Sequence, residues 1–381
     1  MELRIILTII FMLAVGSVRS QIGVEQAGNI LVLDAAGISR LEINTPQNLK
    51  CDISVESQSE TTVRVLYKKW ARAKSSDQAE RFEDLIEVKL DTGAEGSNIV
   101  RLRVLTPLKA PWEGTDYGAG IKLEIAAPQN IYIDSRSSFS DIKVTGPFRG
   151  LKIDNEYGLV EAEKISGESI VKTSYAEINL NELQGTVIVD AIYSQINANS
   201  LKITTGQGVF RTSYGTVDLS GITGSVDVST SYGAISATDI DAGNGAVILR
   251  TSYGAINGEN LKGEIVCETS YNPINLENVS LTHGLNRIET RYSPIQAAIN
   301  TAGDSQLQIN NTYDAINLTV DPHASAKYML AVDEGGKIVT SGLTIKPLVL
   351  EKNRLIGIVG DGLSRIELNV DGIGEINLKG R

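Results

Sequence analysis

The chain has 381 residues, 42% of them hydrophobic, 21% charged and 5% aromatic, which is apolar enough for a substantial core and too apolar for a disordered chain. Its formal charge of −11 opposes a phosphate-backbone partner, which needs a basic surface, so nucleic acid is excluded as the expected ligand. Glycine is high at 36 residues and proline low at 9, so the excess glycine belongs to tight turns rather than to a proline-rich linker.

Residues 1–20 read as a secretory signal peptide. Arg4 precedes an apolar run from Ile5 to Val15, and the small residues Val18 and Ser20 stand before Gln21. That run is too short to span a bilayer, which takes ~20 residues, and no later segment is longer. The chain is therefore expected to be exported and not membrane-spanning, with a periplasmic, cell-surface or secreted destination. Its two cysteines, Cys51 and Cys267, are expected as separate buried thiols. Residues 27–66 alternate like strands, and 75–86 carries the one good helix signal, with Ser75 as cap and acids early. The expected organisation is an N-terminal β-rich cap with one short helix at 21–130, repeats at 131–320 and a C-terminal β cap at 321–381.

The repeats are visible as a Thr-Ser-Tyr motif at Thr173, Thr212, Thr230, Thr251 and Thr269. They belong to an aromatic column of Phe139, Tyr157, Tyr175, Tyr193, Tyr214, Tyr232, Tyr253, Tyr271, Tyr292 and Tyr313, spaced by 18 or 21 residues throughout. Three residues after each aromatic stands Ile or Val, from Ile142 to Ile316 without a break. Four before it the column is apolar from Ile153 to Ile309, and only Ser135 fails. Between these core columns, three before the aromatic, every residue from Arg136 to Asn310 is polar, as an outward-facing position should be. Ten after the aromatic, the short corners carry Gly167, Gly185, Gly224 and Gly263, where a positive φ is predicted.

Period-two alternation inside an 18 to 21 residue repeat, without helical stretches, predicts an all-β chain. The leucine frame and asparagine ladder of leucine-rich repeats are absent, and a propeller blade needs ~40 residues. The expected fold is a single-stranded, right-handed β-helix or solenoid of ten or more rungs, capped by β-rich flanks. The flanks carry related strands, Gly37 to Asn44 and Gly362 to Asn369, which differ only by exchanges of Ile and Leu.

The Thr251 to Ile256 type of rung, the lead-in Ile121 to Pro128 and the close Ile366 to Leu378 together resemble the bacterial "putative adhesin" domain-of-unknown-function family, repetitive β-helix proteins that are exported. The resemblance covers most of the chain after the leader. It implies the β-helix fold and an adhesive role, and it supplies no catalytic residues.

Column by column, the repeats offer few groups for catalysis. Four after the aromatic, the acids Glu161 and Asp218 fall three rungs apart, ~14 Å by strand spacing, too far to cooperate in glycoside hydrolysis. Glu259 and Glu277 fall on consecutive rungs and form the best available carboxylate pair, though a solvated surface is the simpler account of them. His283 and His323 are the only histidines, and neither stands in a metal-ligand or triad pattern. The sequence therefore predicts no enzyme, no cofactor and no metal.

Three columns could bind. Tyr175, Tyr193, Tyr214, Tyr232, Tyr253 and Tyr271, beside Asn179, Asn197, Asn257 and Asn275, combine aromatic rings with amides, the chemistry that holds sugars. The simpler account makes both columns structural ladders. Ile170, Ile188, Val209, Ile248 and Val266 form an apolar stripe on the outer face and are a candidate partner face. The expected function is a non-catalytic adhesin whose ladder surfaces bind a glycan or a cell-surface or envelope protein, with self-association as a further option. The alternatives are a β-helix carbohydrate-active enzyme and a purely structural envelope rod.

Overall fold

The structure is a computed structural model that describes residues 22–25, 28–93, 97–301 and 303–381. The signal peptide expected at 1–20 lies outside the described residues. The described residues are all-β, with 34 strands and a single helix, and the strands join one hydrogen-bonded sheet.

The repeated sequence becomes structure through parallel pairing at the repeat's own period. The strand before the aromatic, Gly150–Tyr157, pairs in parallel with Glu168–Tyr175, so that Ile153 faces Val171 and Tyr157 faces Tyr175. The strand after it behaves alike: Val160–Glu163 pairs with Glu177–Asn181, and Ile178 faces Ile196 one repeat further on. Each position therefore meets its own counterpart, and a periodic sequence turns into columns of like residues. The Ile and Val column from Ile142 to Ile316 is at most 1% exposed throughout. Burying each such side chain contributes roughly 1.5–3 kcal/mol, which offsets the ordering of the polar residues between. Ser135, the one polar member of the other core column, is buried with the rest.

Corners absorb the differences in repeat length. Gly167, Gly185, Gly224 and Gly263 all have positive φ, as their spacing predicts. At Gly185 a Cβ would fall 2.1 Å from the carbonyl oxygen of Gly167, so the corner backbones are stacked too closely for a side chain. Where three residues are added, the parallel register shifts between Asp241 and Ala246 and resumes at once.

Both ends depart from chain order. Near the N-terminus, Arg40–Asn44 sits between Ile99–Leu105 and Tyr132–Arg136, parallel to both. Near the C-terminus, Ser364–Val370 sits between Gln306–Asn311 and Ala326–Val332, again parallel to both. The two related segments noted in the sequence thus occupy equivalent places, each inserted inside the outermost parallel strand of its end. Beyond those outer strands the pairing turns antiparallel. Glu87–Thr92 and Thr62–Ala73 cover the N-terminal edge, and Arg354–Val359 covers the C-terminal one. Exposed parallel edges would invite other chains to add on. The helix forms at Ser76–Asp84, where the Ser75 hydroxyl accepts from the Gln78 amide, and it buries Ala79 and Phe82.

Candidate functional site: the side-chain ladders

The Thr-Ser-Tyr-Gly sequence has a local cause. The Thr251 hydroxyl donates to the Gly233 carbonyl of the preceding repeat and accepts the Gly254 amide of its own. Thr230 does the same with Gly215 and Gly233. These two threonines are only 7% exposed, so each hydroxyl satisfies buried backbone groups across two repeats. Glycine is required beside them: a Cβ on Gly233 would fall 1.7 Å from the Gly215 carbonyl oxygen, and one on Gly254 1.7 Å from that of Gly233.

This bend turns the aromatic outward. Tyr175, Tyr193, Tyr214, Tyr232, Tyr253 and Tyr271 lie in one row with Phe139, Tyr157, Tyr292 and Tyr313. Neighbouring rings are 4.6–5.3 Å apart, with interplanar angles of 1–17°. From Tyr175 to Tyr313 they are 46–55% exposed. Each stacked pair contributes ~0.5–1.5 kcal/mol. Stacking also decides what the row can offer. Every face between its ends is covered by a neighbour, so the solvent meets ring edges and phenol hydroxyls rather than the open faces on which a sugar stacks. At the C-terminal end, Gly372 closes the row, because its backbone lies so near that a Cβ would be 3.0 Å from the Tyr313 ring.

The amides form a second ladder. Asn197 donates to Asn179 at 2.8 Å, Asn275 to Asn257 at 3.0 Å and Asn377 to Asn317 at 3.0 Å. A further amide row runs at the neighbouring corner, where Asn260 donates to Asp239 and Asn278 to Asn260, at 2.7 Å each. This row was missed in the sequence because its members vary in type. They are united by backbone instead: Lys164, Glu182, Ser200, Asp239, Asn260 and Asn278 all have φ between 52° and 60°.

Ile170, Ile188, Val209, Ile248 and Val266 are half-buried on the outer face. They do not form one stripe, because the register places Asp227 between Val209 and Ile248. Asp227 lies 3.9 Å from Arg211 and 3.5 Å from Arg250, and Arg250 also reaches Glu268 at 2.9 Å. The apolar surface is thus two short patches divided by ion pairs, each exposed pair contributing ~0–1 kcal/mol.

Glu259 and Glu277 face each other on adjacent parallel strands. Both are exposed, in an open groove of 540 Å³ that also includes Asn257, Asn275 and Gln296. His283 contacts Asp304 on exposed corners, and His323 is exposed, with its backbone amide donating to the Asp321 carboxylate. Among the described residues no three His, Cys, Asp or Glu side chains converge as metal ligands. Cys51 and Cys267 are buried and unpaired with each other, and desolvation pushes each thiol up to about 12. No helix among the described residues is long and apolar enough to cross a membrane.

No family model and no curated protein matches the sequence. Solved structures do. One is a putative cell adhesion protein from Clostridium sporogenes, 10% identical, covering 93% of this chain and 99% of its own, with a TM-score of 0.18. Another, from Bacteroides fragilis, is 11% identical, covers 93% and 97%, and has a TM-score of 0.20. A third, from Parabacteroides merdae, is 11% identical, covers 92% and 95%, and has a TM-score of 0.17. The last two are putative adhesins. The solved structures therefore bear the family name that the rung sequence resembles. At such identities and TM-scores the superpositions themselves carry no argument about fold or function.

Proposed function

We propose that the chain is an exported, non-catalytic β-solenoid of the adhesin type, which holds a repetitive glycan or an envelope protein against its ladders. The observation that carries this reading is the periodicity of the surface. Phenol edges, paired amides and charged columns recur together along one axis, with ring spacings of 4.6–5.3 Å. A rigid surface with one repeated chemistry suits a polymer with one repeated unit, because many weak contacts add along it. The parallel register of 18 or 21 residues supports the solenoid reading, as each repeat can bury its apolar columns only against the next.

A second reading, a carbohydrate-active enzyme, draws on Glu259 and Glu277, since adjacent strands place the two backbones ~5 Å apart and retaining glycosidases need carboxylates about 5–5.5 Å apart. One experiment separates the two. The purified chain, without residues 1–20, is applied to an array of glycans and envelope polymers, and the products are analysed on the same samples. Retention without cleavage is expected. Cleavage that disappears in Glu259→Gln would overturn the binding reading.

A further inference from the structure

The aromatic row has a gap at its N-terminal end. The register continues the column from Phe139 to Lys50 and from Lys50 to Gly120, because Ser140 pairs with Cys51 and Cys51 with Ile121. Two positions beyond Phe139 an aromatic nevertheless returns. A Cβ on Gly120 would lie 2.4 Å from the Trp70 ring, so the indole from the covering antiparallel strand takes the place of the side chain Gly120 lacks. The column therefore reads indole, lysine, phenylalanine, tyrosine, with one ring missing between Trp70 and Phe139.

An open cleft of 540 Å³ lies at this gap, lined by Trp70, Trp112, Phe139, Lys50, Asp141 and Glu113 among others. Phe139 is 44% exposed, and its one stacked neighbour is Tyr157, so the other ring face is turned to the gap. Trp112 is fixed as a wall: it is 6% exposed, its indole N–H donates to the Asn48 carbonyl at 2.7 Å, and Phe82 of the helix packs on its edge. Polar groups reach the same space. The Lys50 ammonium is 3.6 Å from Asp141 and 3.8 Å from Asp52, too far for hydrogen bonds, and all three side chains are about half exposed.

We propose that this cleft is a saccharide-binding site, in which one neutral pyranose ring takes the missing position of the ladder between Trp70 and Phe139. The inference rests on the adhesin reading and gives it a defined ligand class and place. The apolar C–H face of a pyranose stacks on an aromatic ring, and the ladder spacing leaves room for one ring. Its hydroxyls both donate and accept, so they can serve the Lys50 ammonium and the Asp141 carboxylate together. A plain aromatic ring in the same place would desolvate that loose pair and return no hydrogen bond. The cleft falls within the usual ~300–1,000 Å³ of small-molecule sites and has their mixture of apolar walls with a few polar groups.

The test uses a built-in reporter, since the only two tryptophans of the chain are Trp70 and Trp112 and both line the cleft. Tryptophan emission is followed while the chain is titrated with the methyl pyranosides of glucose, galactose, mannose and N-acetylglucosamine, and separately with p-cresol. A saturable change with at least one pyranoside is expected. Phe139→Ala should weaken it about tenfold, the loss of one aromatic contact. Lys50→Tyr, which fills the gap, should abolish it, and Lys352→Ala, in the exposed turn of the C-terminal hairpin, should leave it unchanged. Circular dichroism checks that each variant is folded. A response to p-cresol alone would overturn the proposal and make the cleft a dock for an aromatic side chain, and silence from every probe would overturn it as well. Pyranoside binding that ignores both Phe139→Ala and Lys50→Tyr would overturn the cleft while the adhesin reading stands. Retention of the chain on a polymer array with the cleft silent would separate the two in the same way.

Discussion

Single residues in the bends carry more than their size suggests. The Thr251 hydroxyl serves one donor and one acceptor that are buried on different repeats. Thr251→Val keeps the shape and removes both bonds, so it should cost ~1–3 kcal/mol, while Thr251→Ser should recover most of that; urea denaturation of the two variants measures the difference. Gly233→Ala is more severe, because its Cβ would overlap the Gly215 carbonyl at 1.7 Å and the stacked backbones have nowhere to move. A loss above about 3 kcal/mol is expected in the same measurement. The buried thiols give a pH signature. Desolvation raises Cys51 and Cys267 from 9.0 to about 12 in the folded chain. A raised folded value means that the stability they contribute is intact below pH 9 and lost as the pH rises from 9 towards 12, where the unfolded chain ionises first. Urea midpoints should fall across that window, and the double variant Cys51→Ala, Cys267→Ala should show a shallower fall.

At the scale of elements, the informative feature is the strand inserted at each end. Ser364–Val370 and Glu375–Gly380 fill the space between the last repeat strands and the outermost parallel pair. A chain ending after residue 361 would leave four strands with unpaired inner edges, Gln306–Asn311 and Ile316–Val320 on one side and Ala326–Val332 and Lys337–Ser341 on the other. Such edges recruit other strands. The truncated chain should therefore aggregate on purification, where the full chain elutes as a discrete species in size-exclusion chromatography. The helix is legible in the sequence because its Ser75 cap and its early acids are local signals. The insertions are not. The likeness of Gly37 to Asn44 and Gly362 to Asn369 was visible, but pairing order depends on contacts between segments far apart in sequence.

Across the whole molecule, the ladders couple neighbours and nothing further away. Tyr232 stacks on Tyr214 and Tyr253 at 4.9 Å each, whereas Tyr313 stacks on Tyr292 alone among the rings. Tyr232→Ala should therefore cost ~1–3 kcal/mol, two stacks, and Tyr313→Ala about half as much. In calorimetry, Tyr232→Ala with Tyr253→Ala should cost less than the sum of the singles, since both remove one shared contact. Tyr175→Ala with Tyr292→Ala should be additive.

The sequence by itself determined what repeats: the period, the buried columns, the outward polar column, the corner glycines and the row of aromatic rings. Parallel in-register pairing makes each residue's neighbour its own counterpart, so a column read down the sequence is already a column in space. The tertiary structure decided what depends on breaks in that period. It set the rings half-exposed with their faces consumed, because the outcome of a Ser-Tyr-Gly bend rests on backbone stacked across repeats. It divided the apolar face at Asp227 with arginines from neighbouring strands, and it brought Trp70 onto Gly120 from an antiparallel strand. The Trp70–Gly120 contact joins residues outside the repeat, and no periodicity in the sequence points to it.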